Sequence, residues 1–136
     1  MSSEWIKMLG VIARQDVYAN QIVLREASQI DRAILEASAS PSRGSAYQLL
    51  IHLVGVEVNY LGQILGGEHV LSEQARRSIA ELIVAADAHY ARLLGYVDGL
   101  TERELARAVS FRFSTGAVLQ FTAWQLLTQL FMHSAQ

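Results

Sequence analysis

Four histidines, His52, His69, His89 and His133, are the side chains in this chain best suited to holding a transition metal or moving a proton near neutral pH. The 136 residues include no cysteine, which removes thiolate nucleophiles, disulfides and Cys-ligated zinc or iron–sulfur centres from consideration. His69 lies between Gly66-Gly67 and Ser72, in loop chemistry. His89 follows Asp87 and stands near Arg92. Both are expected to face solvent.

His52 carries more information. It interrupts the apolar run Leu49 to Val54, and at ~100° per residue Asn59 and Gln63 fall within about 20° of it on a helix. Gly55, Gly62 and Gly66 share that side, whereas Val54, Val58, Leu61 and Leu65 lie opposite. A stripe of polar and small residues on a greasy helix has two readings. It faces water or a closely packed neighbour, or it lines a cleft in which His52 is a metal ligand or a general base. Glu57 points near the apolar side and needs a partner, with Arg14, Arg25, Arg112 or a subunit interface as the candidates.

His133 sits at the end of a second apolar stretch, Leu126 to Met132, with Gln129 one turn earlier on the same side. It reads either as a histidine satisfied by its surroundings or as a second ligand. Two imidazoles from two helices can reach one divalent ion of the zinc, nickel, copper or iron type. A specific site generally needs a third protein ligand. The i−4 position of His133 offers only Gln129, and the i+4 position falls past Gln136.

Helices must position these groups. Trp5, Met8, Ile12, Val17, Ile22 and Leu24 recur at helical spacing and predict a first helix over Ser3 to Ser28. A short turn over Asp31 to Ala37 and a loop over Ser38 to Gly44 follow. Ser45 with Gln48 forms a capping box that opens a second helix, stopped by Gly66-Gly67. A third helix is expected from Ser72 to Val97, with Ile79, Leu82, Ile83, Ala86, Tyr90, Leu93 and Leu94 on its apolar face. Thr101 and Glu104 cap a short turn. Val109, Phe111 and Phe113 then alternate with polar residues, and Thr115-Gly116 reverses the chain into a small hairpin. A last helix begins near Phe121 and is still under way at Gln136, with no stop signal. The result is an all-α fold: a single domain over residues 1–136, a four-helix bundle with a β-hairpin before the last helix.

Composition narrows the function classes. Apolar residues make up 51% and charged residues 18%, which suits a folded core rather than disorder. Eleven Lys and Arg against thirteen Asp and Glu give a net charge of −2, so no basic excess is present to neutralise a nucleic acid. The run from Leu49 to Leu65 contains His52, Glu57, Asn59 and Gln63, too polar for a membrane span. The N-terminal residues lack the apolar core of a signal peptide, and a soluble cytoplasmic protein is expected. The second helix is apolar around most of its circumference, which predicts a homodimer that buries the surplus.

The ordered pieces Tyr18-Ala19-Asn20-Gln21, Gly44-Ser45 leading into Leu50-Ile51-His52-Leu53-Val54-Gly55-Val56-Glu57, Phe111-Arg112-Phe113-Ser114-Thr115-Gly116, and Trp124-Gln125-Leu126-Leu127 ahead of Met132-His133-Ser134 resemble the DinB/YfiT-like family of metalloenzymes over nearly the whole chain. The resemblance implies a four-helix bundle with a long crossover connection, often dimeric. It also implies a divalent metal ion of the Zn, Ni or Fe type on one histidine of the second helix and two of the last. His52 and His133 are the positions that match. The third would fall one residue beyond Gln136, and the last family helix is expected to be cut short here. Relatives include thiol S-transferases and isomerases. The implied function is a metal-dependent transferase or hydrolase acting on a small molecule. The alternative is a non-catalytic helical dimer, an inactive relative with an incomplete metal site.

Overall fold

The computed structural model describes residues 3–40, 44–67 and 70–134. His69 and Pro41 lie outside the described residues, as does the chain after Ser134. The order of elements is α1 (Ser3–Ala27), α2 (Arg32–Glu36), β1 (Ser38–Ser40), β2 (Gly44–Ser45), α3 (Ala46–Ile64), α4 (Ile79–Asp98), α5 (Glu102–Leu105), β3 (Ala108–Arg112), β4 (Val118–Thr122) and α6 (Ala123–Ser134). The chain is thus mostly helical, with small antiparallel strand pairs.

The end signals explain most boundaries. Ser45 Oγ accepts from Gln48 N–H at 3.1 Å and Gln48 Oε1 accepts from Ser45 N–H at 3.0 Å, a complete capping box for α3. The helix ends where Gly66 and Gly67 take φ of +114° and +84°, values that side chains disfavour.

Three expectations need correction. The third helix does not open at Ser72. It starts at Ile79, because Ser78 has a Glu three residues on and Ser72 does not. Ser78 Oγ accepts from Glu81 N–H at 3.0 Å, and Glu81 Oε1 accepts from Ser78 N–H at 3.1 Å. Phe121 belongs to β4, where it pairs with Val109, and the last helix waits for the Thr122–Gln125 cap. The segment expected as loop carries the short β1–β2 pair, with Ser38 opposite Ser45 and Ser40 opposite Gly44.

Among the longer helices α1 packs on α4, α3 on α6 and α3 on α4, while α1 touches α6 more lightly. Leu9, Leu24, Leu61, Ile64, Leu82, Leu93, Leu127 and Leu130 fill the space between them. The fold absorbs most of the apolar surplus of α3, and Leu49 is its one exposed large apolar residue. Among the helices α1 exposes more large apolar residues than α3, at Met8, Val11, Ile12, Tyr18, Ile22 and Val23. No helix among the described residues is long and apolar enough to cross a membrane.

Candidate functional site

Packing of α3 on α6 brings His52 and His133 together. Their ring centroids stand 6.0 Å apart with the planes at 76°, and the Tyr60 ring lies 6.2 Å from His133. His52 is not stranded in the core: its side chain is 52% exposed, and His133 is half-buried. The pair is therefore open to a ligand from solvent.

The polar stripe of α3 is engaged by other parts of the chain. Gln63 holds β3 through Arg112, and Asn59 Oδ1 accepts from Leu71 N–H at 3.0 Å. One turn and two turns earlier, Gly55 and His52 meet Glu73. Glu73 Oε1 lies 2.8 Å from His52 Nδ1, and a Cβ on residue 55 would come within 3.1 Å of Glu73 Cγ. The close neighbour of the glycine-bearing stripe is thus the segment 70–78 rather than a helix. Sequence reasoning did not single out Glu73. Its position depends on how that segment folds back on α3, which no periodicity reports.

Two cavities meet at His133. A groove of about 630 Å³ between α1 and α3 is walled by Ile22, Val23, Ile30, Leu49 and Leu53, reaches both His52 and His133, and carries the acidic Glu26 in its wall. A second cavity of about 570 Å³ on the other side of Val56 and His133 is lined by Asn59, Tyr60, Gln63, Phe111 and Arg112. Burial pushes the Tyr60 hydroxyl above its ordinary pKa, so it stays protonated and able to donate. Apolar walls with a few convergent polar groups are the usual form of a small-molecule site.

A family model for the DinB superfamily matches residues 19–136, which span both histidines, the hairpin, α3, α4 and α6, and the end of α1. The chain belongs to the DinB superfamily. No curated protein matches it. Among the described residues of this DinB-superfamily chain no group of three or more His, Asp or Glu is arranged to hold a metal ion. The donor set offered is two imidazoles, with Gln129 one turn before His133. Imidazole suits borderline divalent ions, and the rings stand about as far apart as one shared ion spans at ~2.0–2.1 Å per nitrogen. The residues present fit such an ion as two ligands that leave its remaining positions open.

A second polar cluster lies inside the helical core, and it overturns two expectations. His89 does not face solvent; it is fully buried. Glu57 meets partners other than the expected arginines: its Oε1 lies 2.9 Å from His89 Nε2, and its Oε2 accepts from Asn20 Nδ2 at 3.1 Å. The cluster joins α1, α3 and α4. Nε2–H donates to the Glu57 carboxylate, whereas Nδ1 has no hydrogen-bond partner among the described residues. A proton on Nδ1 would be buried without an acceptor, which favours the neutral ring. Burial accordingly pushes the His89 pKa down to about 4, assisted by Arg92 and opposed by Asp16.

Proposed function

We propose that this DinB-superfamily protein is a metal-dependent enzyme acting on a small molecule, with His52 and His133 holding a divalent ion of the Zn, Ni or Fe type. The observation that carries this reading is the 6.0 Å approach of two imidazoles from separate helices, at the meeting point of two cavities. Bound there, a divalent ion with open positions would lower the pKa of a thiol or water, the chemistry of S-transfer or hydrolysis. The protein's own residues supply the rest. Ile22, Val23, Leu49 and Leu53 take the apolar part of the substrate out of water, and the Tyr60 hydroxyl and Arg112 offer donors on the opposite side.

The same reading treats α1, α3, α4 and α6 as a four-helix bundle with a long crossover. In its support, α1 and α3 follow one another in sequence but neither is the other's main packing partner. It also includes a homodimer, with the exposed apolar residues of α1 as the surface a second copy would cover. Sedimentation across a range of concentrations should give two chains per particle, and a monomer throughout would end the dimer proposal.

Zinc or cobalt titration of untagged protein tests the centre. One ion per chain is expected. His52→Ala and His133→Ala should each weaken binding by roughly 100-fold or more, since losing even a residue that only orients a ligand costs 10–100-fold. Wild-type protein without a stoichiometric ion would favour the non-catalytic dimer. Thiol consumption by the loaded protein separates S-transfer from hydrolysis.

A further inference from the structure

From His52 to Asn59 the stripe on α3 is a rail for one segment, and that segment delivers one carboxylate. Residues 70–78 leave the end of α3 and run back along it before α4 begins. Both ends of the segment are fastened to α3. Leu71 is buried and its N–H donates to Asn59 Oδ1 at 3.0 Å. Arg77 N–H donates to the Tyr47 hydroxyl at 3.1 Å, and that hydroxyl donates back to Arg77 O at 2.5 Å. The Arg77 guanidinium also spans the segment to Ser72 O at 2.6 Å. Between these anchors Glu73 reaches His52 Nδ1 at 2.8 Å, over the space left by Gly55.

We propose that Glu73 is a positioning residue for His52: its carboxylate holds the Nδ1–H tautomer and the ring orientation, which leaves Nε2 as the nitrogen presented to a ligand. This rests on the reading of His52 as a metal ligand or base. The chemistry follows from donor inventory. A carboxylate only accepts, so the nitrogen facing it carries the hydrogen and the other ring nitrogen keeps its lone pair. An imidazole fixed in this way is pre-oriented and more basic toward an ion. The segment's anchors suit the role. Tyr47, Asn59 and Gly55 belong to the same helix as His52, so the distance from Glu73 to the ring is set by one rigid element rather than by docking of two.

The test reads the tautomer directly, with no metal present. Nitrogen-15 NMR of the imidazoles is recorded on metal-free protein at pH 8, above the ordinary range for imidazole protonation. Wild-type His52 should show Nδ1–H. Glu73→Ala should move it toward the Nε2–H form that an unconstrained histidine prefers, and should weaken zinc binding by roughly 10–100-fold. Glu73→Gln keeps an amide oxygen that can accept from Nδ1–H and should preserve the tautomer. Gly55→Ala retains the carboxylate but places a methyl 3.1 Å from Glu73 Cγ, so it should shift the tautomer part of the way in a helix that alanine does not weaken. An Nε2–H ring in wild type, or a Glu73→Ala spectrum unchanged from wild type, overturns the proposal. Wild-type protein that shows Nδ1–H, loses it in Glu73→Ala, and binds no zinc would instead overturn the metal reading and uphold the role of Glu73.

Discussion

Replacing His89 by leucine should cost the fold about 1–3 kcal/mol, the usual consequence of leaving a buried polar group short of a hydrogen-bond partner. The side chains of His89 and Glu57 are each 1% exposed, so water cannot replace the lost Nε2–H donor. Glu57 would keep its contact with Asn20 at 3.1 Å but lose the ring at 2.9 Å. Glu57→Met should be milder, because the ring it leaves behind is neutral and gives up one hydrogen bond. The double variant Glu57→Met/His89→Leu should recover most of the loss, since apolar side chains of similar volume often replace a buried pair at little net cost. Urea unfolding of the four proteins gives the cycle. A His89→Leu cost below about 1 kcal/mol would show that Glu57 finds other compensation.

The same pair should make the protein sensitive to acid. The His89 pKa is depressed from an ordinary 6.5 to about 4, so between those values the unfolded chain binds a proton that the native one refuses. Stability then rises with pH across that window. The contribution is fully present above 6.5 and is lost as the pH falls toward 4, by about 3 kcal/mol for a shift of this size. The titratable and charged groups around the ring come from three helices: Asp16 of α1, Glu57 of α3, and Arg92 of α4. Unfolding free energy measured at pH 7, 5.5 and 4.5 should fall more steeply in wild type than in the double variant. Parallel slopes would place the acid sensitivity elsewhere.

What the sequence makes legible follows the range of the interactions involved. Ser45 and Gln48 specify a helix start from three residues apart, and the structure shows that box complete. Ser78 and Glu81 carry the same signal, but Ser72 stands earlier and its Ala75 cannot close a box. His89 illustrates a longer range. Its immediate neighbours Asp87 and Arg92 suggest a wet surface, yet it steps by three and four with Leu82, Ala86 and Leu93 on the buried face. Asn20 and Glu57 likewise occupy core positions of their own helices. Three polar residues at core steps of three helices are a signal that they satisfy one another. Reading it requires knowing which helices touch. Glu73 had no such signal, because its partner is decided by the path of an irregular segment.

The hold of Gln63 on Arg112 bears on how the molecule avoids its own kind. β3 and β4 form a ribbon of two strands, and such ribbons offer unpaired main-chain groups along their outer edges. At Arg112 the N–H is taken by Gln63 Oε1 at 2.6 Å and the carbonyl by Gln63 Nε2 at 2.8 Å. A side-chain amide thus sits where the peptide group of an incoming strand would dock, and it satisfies both atoms at once. An incoming strand would have to displace this glutamine before it could pair with β3 at Arg112, beside Phe113.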